Sequence, residues 1–355
     1  MQNKFFIVII CIVFINAKYS YSNNLIDSKD SLKIDSKHKV FGCLYTGFYY
    51  SLNNNIVPRS RFELSAGLLG YTYAYSDKIK AIMCYDVTRT TSDISVNEDS
   101  TSNKHSVNFF EGSKYTAYLK QAEINWQFHK NFELSIGEIL NEQYLTVQDK
   151  FWNYRYISTT YQELYRYGNP ADFGARLVFK IKDIFKYNIS VVNGEGPFKY
   201  QDNNSKFLVA NNIEFCPSKF IFKLYADFQP PSIESSIYDP KTAISLFVAY
   251  KTDKFRIGGE YNRVDNYNFE SSNDYYGSSV YSAYSLNEKF DILARYDYIK
   301  GRYDVTNKCS IFKENHYLIA GAQYQPVKNV FASLNIRGLF PDERYQVYIN
   351  FGIKF

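Results

Sequence analysis

The chain has 355 residues, a formal net charge of +5 and a mean hydropathy of −0.36. So mild a charge leaves no electrostatic footprint for nucleic acid, and past the N-terminal segment no apolar run approaches the ~20 residues of a membrane-spanning helix. Thirty-five Tyr and twenty-nine Phe, against two Met and nine Pro, suit pleated, half-buried strands.

At the start of the chain, Lys4 precedes an apolar run from Phe5 to Ala17, the length of a signal-peptide core and short for a spanning helix. Small residues at Ala17, Ser20 and Ser22 offer cleavage points. The sequence therefore predicts a signal peptide over 1–22, a short periplasmic tail over 23–40 and a membrane barrel over 41–355. Cys11 leaves with the leader; Cys43, Cys84, Cys216 and Cys309 show no metal spacing and read as free thiols. Neither metal nor cofactor is implied.

Beyond the tail a tight polar turn recurs, usually carrying Lys, followed by an aromatic or aliphatic residue and alternating apolar positions. It appears at Ser76–Lys78, His129–Phe132, Lys182–Phe185, Ser218–Phe220, Asp253–Phe255, Glu288–Phe290 and Val327–Asn329. The later turns are spaced by roughly 35–39 residues, enough for two tilted spanning strands, one turn and one longer loop. With these turns fixed, sixteen strands are expected. Their cores are Phe41–Leu52, Phe62–Tyr75, Ile79–Arg89, Tyr115–Phe128, Phe132–Leu140, Phe173–Ile181, Tyr187–Asn193, Phe207–Phe215, Phe220–Phe228, Ala243–Tyr250, Phe255–Arg263, Gly277–Leu286, Phe290–Ile299, Tyr317–Tyr324, Val330–Arg337 and Arg344–Phe355. An even count puts both chain ends beside the seven short turns and leaves eight longer connections on the opposite rim. Closure satisfies every backbone polar group in the hydrocarbon, and at about sixteen strands the bore leaves an aqueous channel. The fold class is all-β, a closed antiparallel transmembrane barrel in contact with outer-membrane lipid.

Two outward connections are long. The one from Thr90 to Lys114 is polar, including Asn97-Glu98-Asp99-Ser100, and reads as solvated. The one from Asn141 to Pro170 is rich in rings, with Phe151-Trp152-Asn153-Tyr154-Arg155-Tyr156 and Tyr161-Gln162-Glu163-Leu164-Tyr165-Arg166-Tyr167. A long loop with its own packing residues is usually functional. Folding it inward would bury the rings and leave Lys150, Arg155, Glu163 and Arg166 near the channel axis. Candidate pore-lining residues are Lys150, Arg155 and Arg166 in this loop, with Arg176, Arg256, Arg295, Arg337 and Arg344 on inward strand positions. Acids share that wall at Glu123, Glu133, Asp227, Glu260, Asp291 and Asp297.

From Arg344 to Phe355 every odd position is apolar or aromatic. A strand of this kind ending on an aromatic residue resembles the assembly signal of bacterial outer-membrane barrels, which implies that the strand ending at Phe355 engages the barrel-assembly machinery. At Lys150–Ile157, Ser190–Gly196 and Leu246–Phe255 the chain resembles the porins of Bacteroidetes, related to the phosphate-selective porin O and P family. The resemblance implies a sixteen-stranded, homotrimeric porin with an inward-folded third loop, passing small hydrophilic solutes or anions. Phosphate selectivity in that family goes with a ladder of arginines and a lysine cluster, whereas here the basic residues are scattered among acids. For subunit packing, small-residue patches are expected at Ala66, Gly67 and Gly70 and at Ala320, Gly321 and Ala322. The alternative is a structural or adhesive barrel that binds partners through its loops. Catalysis is not expected, since His38, His105, His129 and His316 form no recognisable triad in the sequence.

Overall fold

The structure is a computed structural model that describes residues 37–53, 58–88, 93–99, 104–110, 115–143, 147–197, 201, 206–232, 238–302, 314–340 and 343–355. The expected signal peptide, the tail as far as 36 and Cys309 lie outside the described residues. The first strands are β1 (His38–Ser51), β2 (Ser60–Ala74), β3 (Ile79–Thr88), β4 (Asp93–Asp99), β5 (Lys104–Phe110), β6 (Thr116–His129) and β7 (Phe132–Leu140). Two short helices, α1 (Val147–Trp152) and α2 (Tyr161–Leu164), lie between β7 and β8 (Ala171–Ile181). Then follow β9 (Phe185–Val192), β10 (Leu208–Phe215), β11 (Phe220–Gln229), β12 (Lys241–Lys251), β13 (Phe255–Asp265), β14 (Asp274–Ser285) and β15 (Phe290–Arg302). The chain ends with β16 (Asn315–Tyr324), β17 (Val330–Phe340) and β18 (Arg344–Lys354).

All but β4 and β5 join one closed antiparallel barrel of sixteen strands, sealed where β1 pairs with β18. The seal runs to the last residue: Gly42 N–H donates to the Phe355 carbonyl at 2.9 Å, and Phe355 N–H donates to the Gly42 carbonyl at 3.1 Å. The ring of Phe355 occupies the space a Cβ at position 42 would need, which is why glycine stands there. β4 and β5 form a separate hairpin. Within the connection from 90 to 114, Asp93–Asp99 and Lys104–Phe110 pair as regular strands, an element that the expected polar loop did not include.

Alternation sorts the side chains. Along β12, Ala243, Ser245, Phe247 and Ala249 are buried on the inward face, while Ile244, Leu246 and Val248 stand exposed on the outward face. An exposed band of such residues around a closed sheet is what a bilayer covers. Rings gather at the rim of the chain ends, where Phe132 packs on Phe179, Phe220 on Tyr250 and Phe290 on Tyr324, as in the aromatic girdles of membrane barrels.

The seven short turns fall where the sequence puts them. The opposite connections are less uniform than expected, since that between β17 and β18 covers only 341–343. β1 begins at His38, ahead of the expected Phe41. Register irregularities fall at Tyr45/Thr46, Cys84/Tyr85 and between Trp126 and His129, all within the first third of the barrel wall, where the alternation is hardest to read. The same alternation divides the small-residue patches. Gly70 and Gly321 point inward, against the Phe41 ring and Asn335, while Ala320 and Ala322 lie on the other parity, so neither cluster is one packing face.

Candidate functional site

The inward face is the polar one, and residues 147–167 of the segment between Asn141 and Pro170 make contacts with it. In α1 and the turn after it, Phe151, Trp152, Tyr154, Tyr156 and Ile157 are all buried. Phe151 meets Phe247 of β12 edge-on, with centroids 5.4 Å apart, and Tyr156 stacks on Phe331 of β17 at 5.4 Å. The Tyr154 hydroxyl donates to the Asp291 carboxylate of β15 at 2.9 Å. Phe331 and Asp291 both open their strands, so this stretch lies toward the rim of the chain ends.

The return limb is fixed by polar contacts. The Gln162 amide nitrogen lies 2.6, 2.6 and 2.8 Å from Ser245 Oγ, Asn262 Oδ1 and Glu260 Oε2, which share its two N–H donors. The Tyr161 hydroxyl donates to the Tyr298 carbonyl at 2.8 Å, and Tyr275 donates to the Arg166 carbonyl at 3.0 Å. Lys223 of β11 donates to the Gln143 carbonyl and to Gln148 Oε1, holding the start of the segment. Rings, amides and hydroxyls of this kind satisfy a buried loop that would otherwise strand backbone groups.

The candidate basic residues have different surroundings. Arg295 is fully buried, 2.7 Å from the Asp297 carboxylate, donates to the Thr159 carbonyl, and lies over the rings of Trp152 and Tyr281 at 5.4 and 5.5 Å. Arg337 stacks 3.5 Å from the Tyr348 ring and donates to the Ile157 carbonyl at 2.6 Å. Arg256 lies 4.5 Å from the Tyr154 ring. Arg176 bridges Glu142 at 2.9 Å and Glu123 at 3.6 Å. Arg155 bridges Asp149 and Glu163, both of its own segment, at 3.0 and 2.6 Å. Burial opposes its charge, yet these carboxylates hold the guanidinium well above the usual arginine range. Lys150, Arg166 and Arg344 are exposed.

These contacts bring Arg256, Arg295 and Arg337 together with the segment as its anchors, place Arg176 at its root and leave Arg344 at the loop rim. The inward position expected of Lys223 from its strand parity is where the structure has it, buried against the segment. Gln162, Gln143 and Gln148 escape the sequence reading, because a neutral amide in a loop carries little signal.

Across the ring from β11–β14, the inward faces of β2, β3 and β6 carry a second set of charges. Arg61 lies 3.7 Å from Glu63, and the Lys120 ammonium is 2.6 Å from the Asp86 carboxylate. Tyr118 donates to the same carboxylate at 3.3 Å. Of the histidines whose side chains are described, His38 shares a hydrogen bond with Tyr71, His129 accepts from the Asn131 N–H, and His316 pairs with Tyr296. All three lie outside the buried inward network.

No family model matches the chain, and no curated protein matches it in sequence. Solved structures do. Salmonella typhi OmpF, in a complex with daunomycin, aligns with a TM-score of 0.63 and 11% identity over 90% of this chain and 97% of its own. In vitro folded OmpT of Vibrio cholerae, an outer-membrane protein in its trimer form, aligns at 0.58 and 12% over 90% and 99%. The outer-membrane channel DcaP of Acinetobacter baumannii aligns at 0.61 and 11% over 90% and 97%. At such identities the likeness is one of fold: this is the barrel of bacterial outer-membrane proteins.

Proposed function

We propose that the chain is an outer-membrane porin, a water-filled channel for passive diffusion of small hydrophilic solutes, narrowed by the segment from Asn141 to Pro170. The observation that carries this reading is the division of the inward face. The segment's contacts run from Arg176 on β8 through β11–β17 to Tyr45 on β1, and the inward faces of β2, β3 and β6 are lined with charge. The passage runs between those faces and the Asp149–Arg155–Glu163 face of the segment, with the loop rim toward the cell exterior.

Ions crossing this passage meet charges that are largely matched. Arg155 faces two carboxylates, Lys120 one, and Arg61 one, whereas selectivity comes from rings of one sign. A general channel with little charge preference follows. Lys150, Arg166 and Arg344 supply at most a weak bias toward anions, and the other candidates Arg155, Arg176, Arg256, Arg295 and Arg337 anchor the segment or pair with acids, which speaks against a phosphate ladder. We further assign the chain to a homotrimer, a reading supported by the trimer form of the Vibrio cholerae neighbour. The strand ending at Phe355 is assigned to the assembly machinery.

Liposome swelling tests the reading. Vesicles carrying the refolded protein should swell in small neutral sugars and stop swelling as sugar size rises. Absence of swelling in every sugar, with a folded, heat-modifiable protein in the membrane, would overturn it.

A further inference from the structure

A side cavity opens off the inward face between the two ends of the 141–170 segment and the wall of β7–β12. It is a shallow recess open at its mouth, and its lining is of two kinds. One side is an apolar cluster of Ile139, Val192, Leu208, Ala210 and Tyr225, separate from the packing beneath the segment. An apolar patch on the water side of a barrel wall is the reverse of what alternation supplies, and an apolar concavity with a few convergent polar groups is the usual form of a small-molecule site.

The other side carries charges of both signs. Asp227 on β11 is 8% exposed; its Oδ2 accepts from the Tyr225 hydroxyl at 2.8 Å, while its Oδ1 has no hydrogen-bond partner. Lys241 opens the adjacent strand β12, in register with Gln229, so it lies diagonal to Asp227. Its ammonium is 5.7 Å from the centroid of the Phe269 ring, and no carboxylate among the described residues comes within 4.0 Å of it. Asp172 also lines the cavity but is committed elsewhere, accepting the backbone N–H groups of Phe173, Gly194 and Gly196 at 2.8, 2.7 and 3.1 Å. Glu142 is committed too, paired with Arg176 and Lys186.

We propose that this cavity is a solute-binding subsite of the channel for zwitterionic amino acids with apolar side chains. The ammonium of such a solute meets the Asp227 carboxylate, its carboxylate meets Lys241, and its side chain covers the apolar cluster. A simple ion would leave that cluster bare. A hydrocarbon would bring no opposite charge to Asp227 or Lys241 while excluding water from them, which costs binding. The inference deepens the channel reading and rests on it.

The test uses the full chain in a planar bilayer with four probes added to the loop side: L-leucine, isocaproate lacking the amine, isoamylamine lacking the carboxylate, and glycine lacking the side chain. L-Leucine should block the current saturably, and each of the other three should need about tenfold or more higher concentration, since each forfeits one charged or apolar contact. In parallel, binding of radiolabelled L-leucine to folded protein in detergent should fall about tenfold or more in Asp227→Asn and in Lys241→Met, with heat-modifiability of each variant checking its fold. Open channels that L-leucine does not block, together with no labelled binding, would overturn the subsite and leave the porin reading intact. Equal potency of all four probes would overturn it as well. No channels at all, with labelled leucine still bound, would overturn the porin reading and keep the subsite.

Discussion

Arg295 and Asp297 lie two positions apart on β15 with no exposed side-chain area, and the guanidinium also reaches the Thr159 carbonyl of the segment. Removing one partner of a buried pair leaves the other charged and unsolvated, at a cost of about 3–5 kcal/mol. Arg295→Met should therefore lower the midpoint of heat modification strongly, and Arg295→Met with Asp297→Leu should recover part of the loss. A double variant as unstable as the sum of its singles would show that the two residues act separately. Trp152, 1% exposed against the same arginine, should cost about 3–5 kcal/mol as Trp152→Ala. The loosened segment should also make the single-channel current noisier; an unchanged midpoint and a quiet current would count against its anchoring role.

Glu142 gives the root of the segment a pH dependence. Burial opposes its ionisation, but Arg176 and Lys186, with Lys223 behind them, hold its carboxyl below the usual carboxylate range. A depressed native value means that the stabilisation is complete above the unfolded carboxylate value and is lost as pH falls through the native one. Acid below the ordinary carboxylate range should loosen the root of the segment, seen as rising current noise. Glu142→Gln should be noisy already at neutral pH and change less on acidification. Identical acid responses in the two proteins would exclude this group.

Elements were legible in the sequence in proportion to how cleanly they alternate. β12 through β18 keep a strict period of two between polar turns, and their bounds lie within a few residues of those the pattern gives. The first strands were harder because bulges at Tyr45/Thr46 and Cys84/Tyr85 shift the parity midway. The β4–β5 hairpin went unread because polar residues surround its short alternation. In the segment from Asn141 to Pro170 the density of rings was visible. Its anchors were not, since Gln162 finds Ser245, Glu260 and Asn262 only after the barrel closes. The candidate arginines were visible by parity alone, and parity does not say which meet a carboxylate, which a ring and which water. Excising residues 147–164 with a short Gly/Ser bridge should leave a folded barrel with a higher conductance and a larger sugar cut-off. An unchanged cut-off would place the narrowing elsewhere.

As a whole, the molecule is a sheet whose exterior suits hydrocarbon and whose interior suits water. Leu246, 47% exposed in the middle of β12, tests the first half of that statement. Leu246→Arg should cost about 2–4 kcal/mol of stability in a bilayer and much less in detergent, where the head group finds water; equal losses in both would mean that this face is not embedded in lipid.

The second half is tested most directly by single-channel recording of the refolded protein in a planar bilayer, with reversal potential read in a salt gradient. Discrete conductance steps, grouped in threes, with a reversal potential near zero are expected from a trimer of open channels whose charges are largely matched. A folded, membrane-inserted protein that passes no current would contradict the channel, and a steep reversal potential of either sign would contradict the charge balance assigned to its passage.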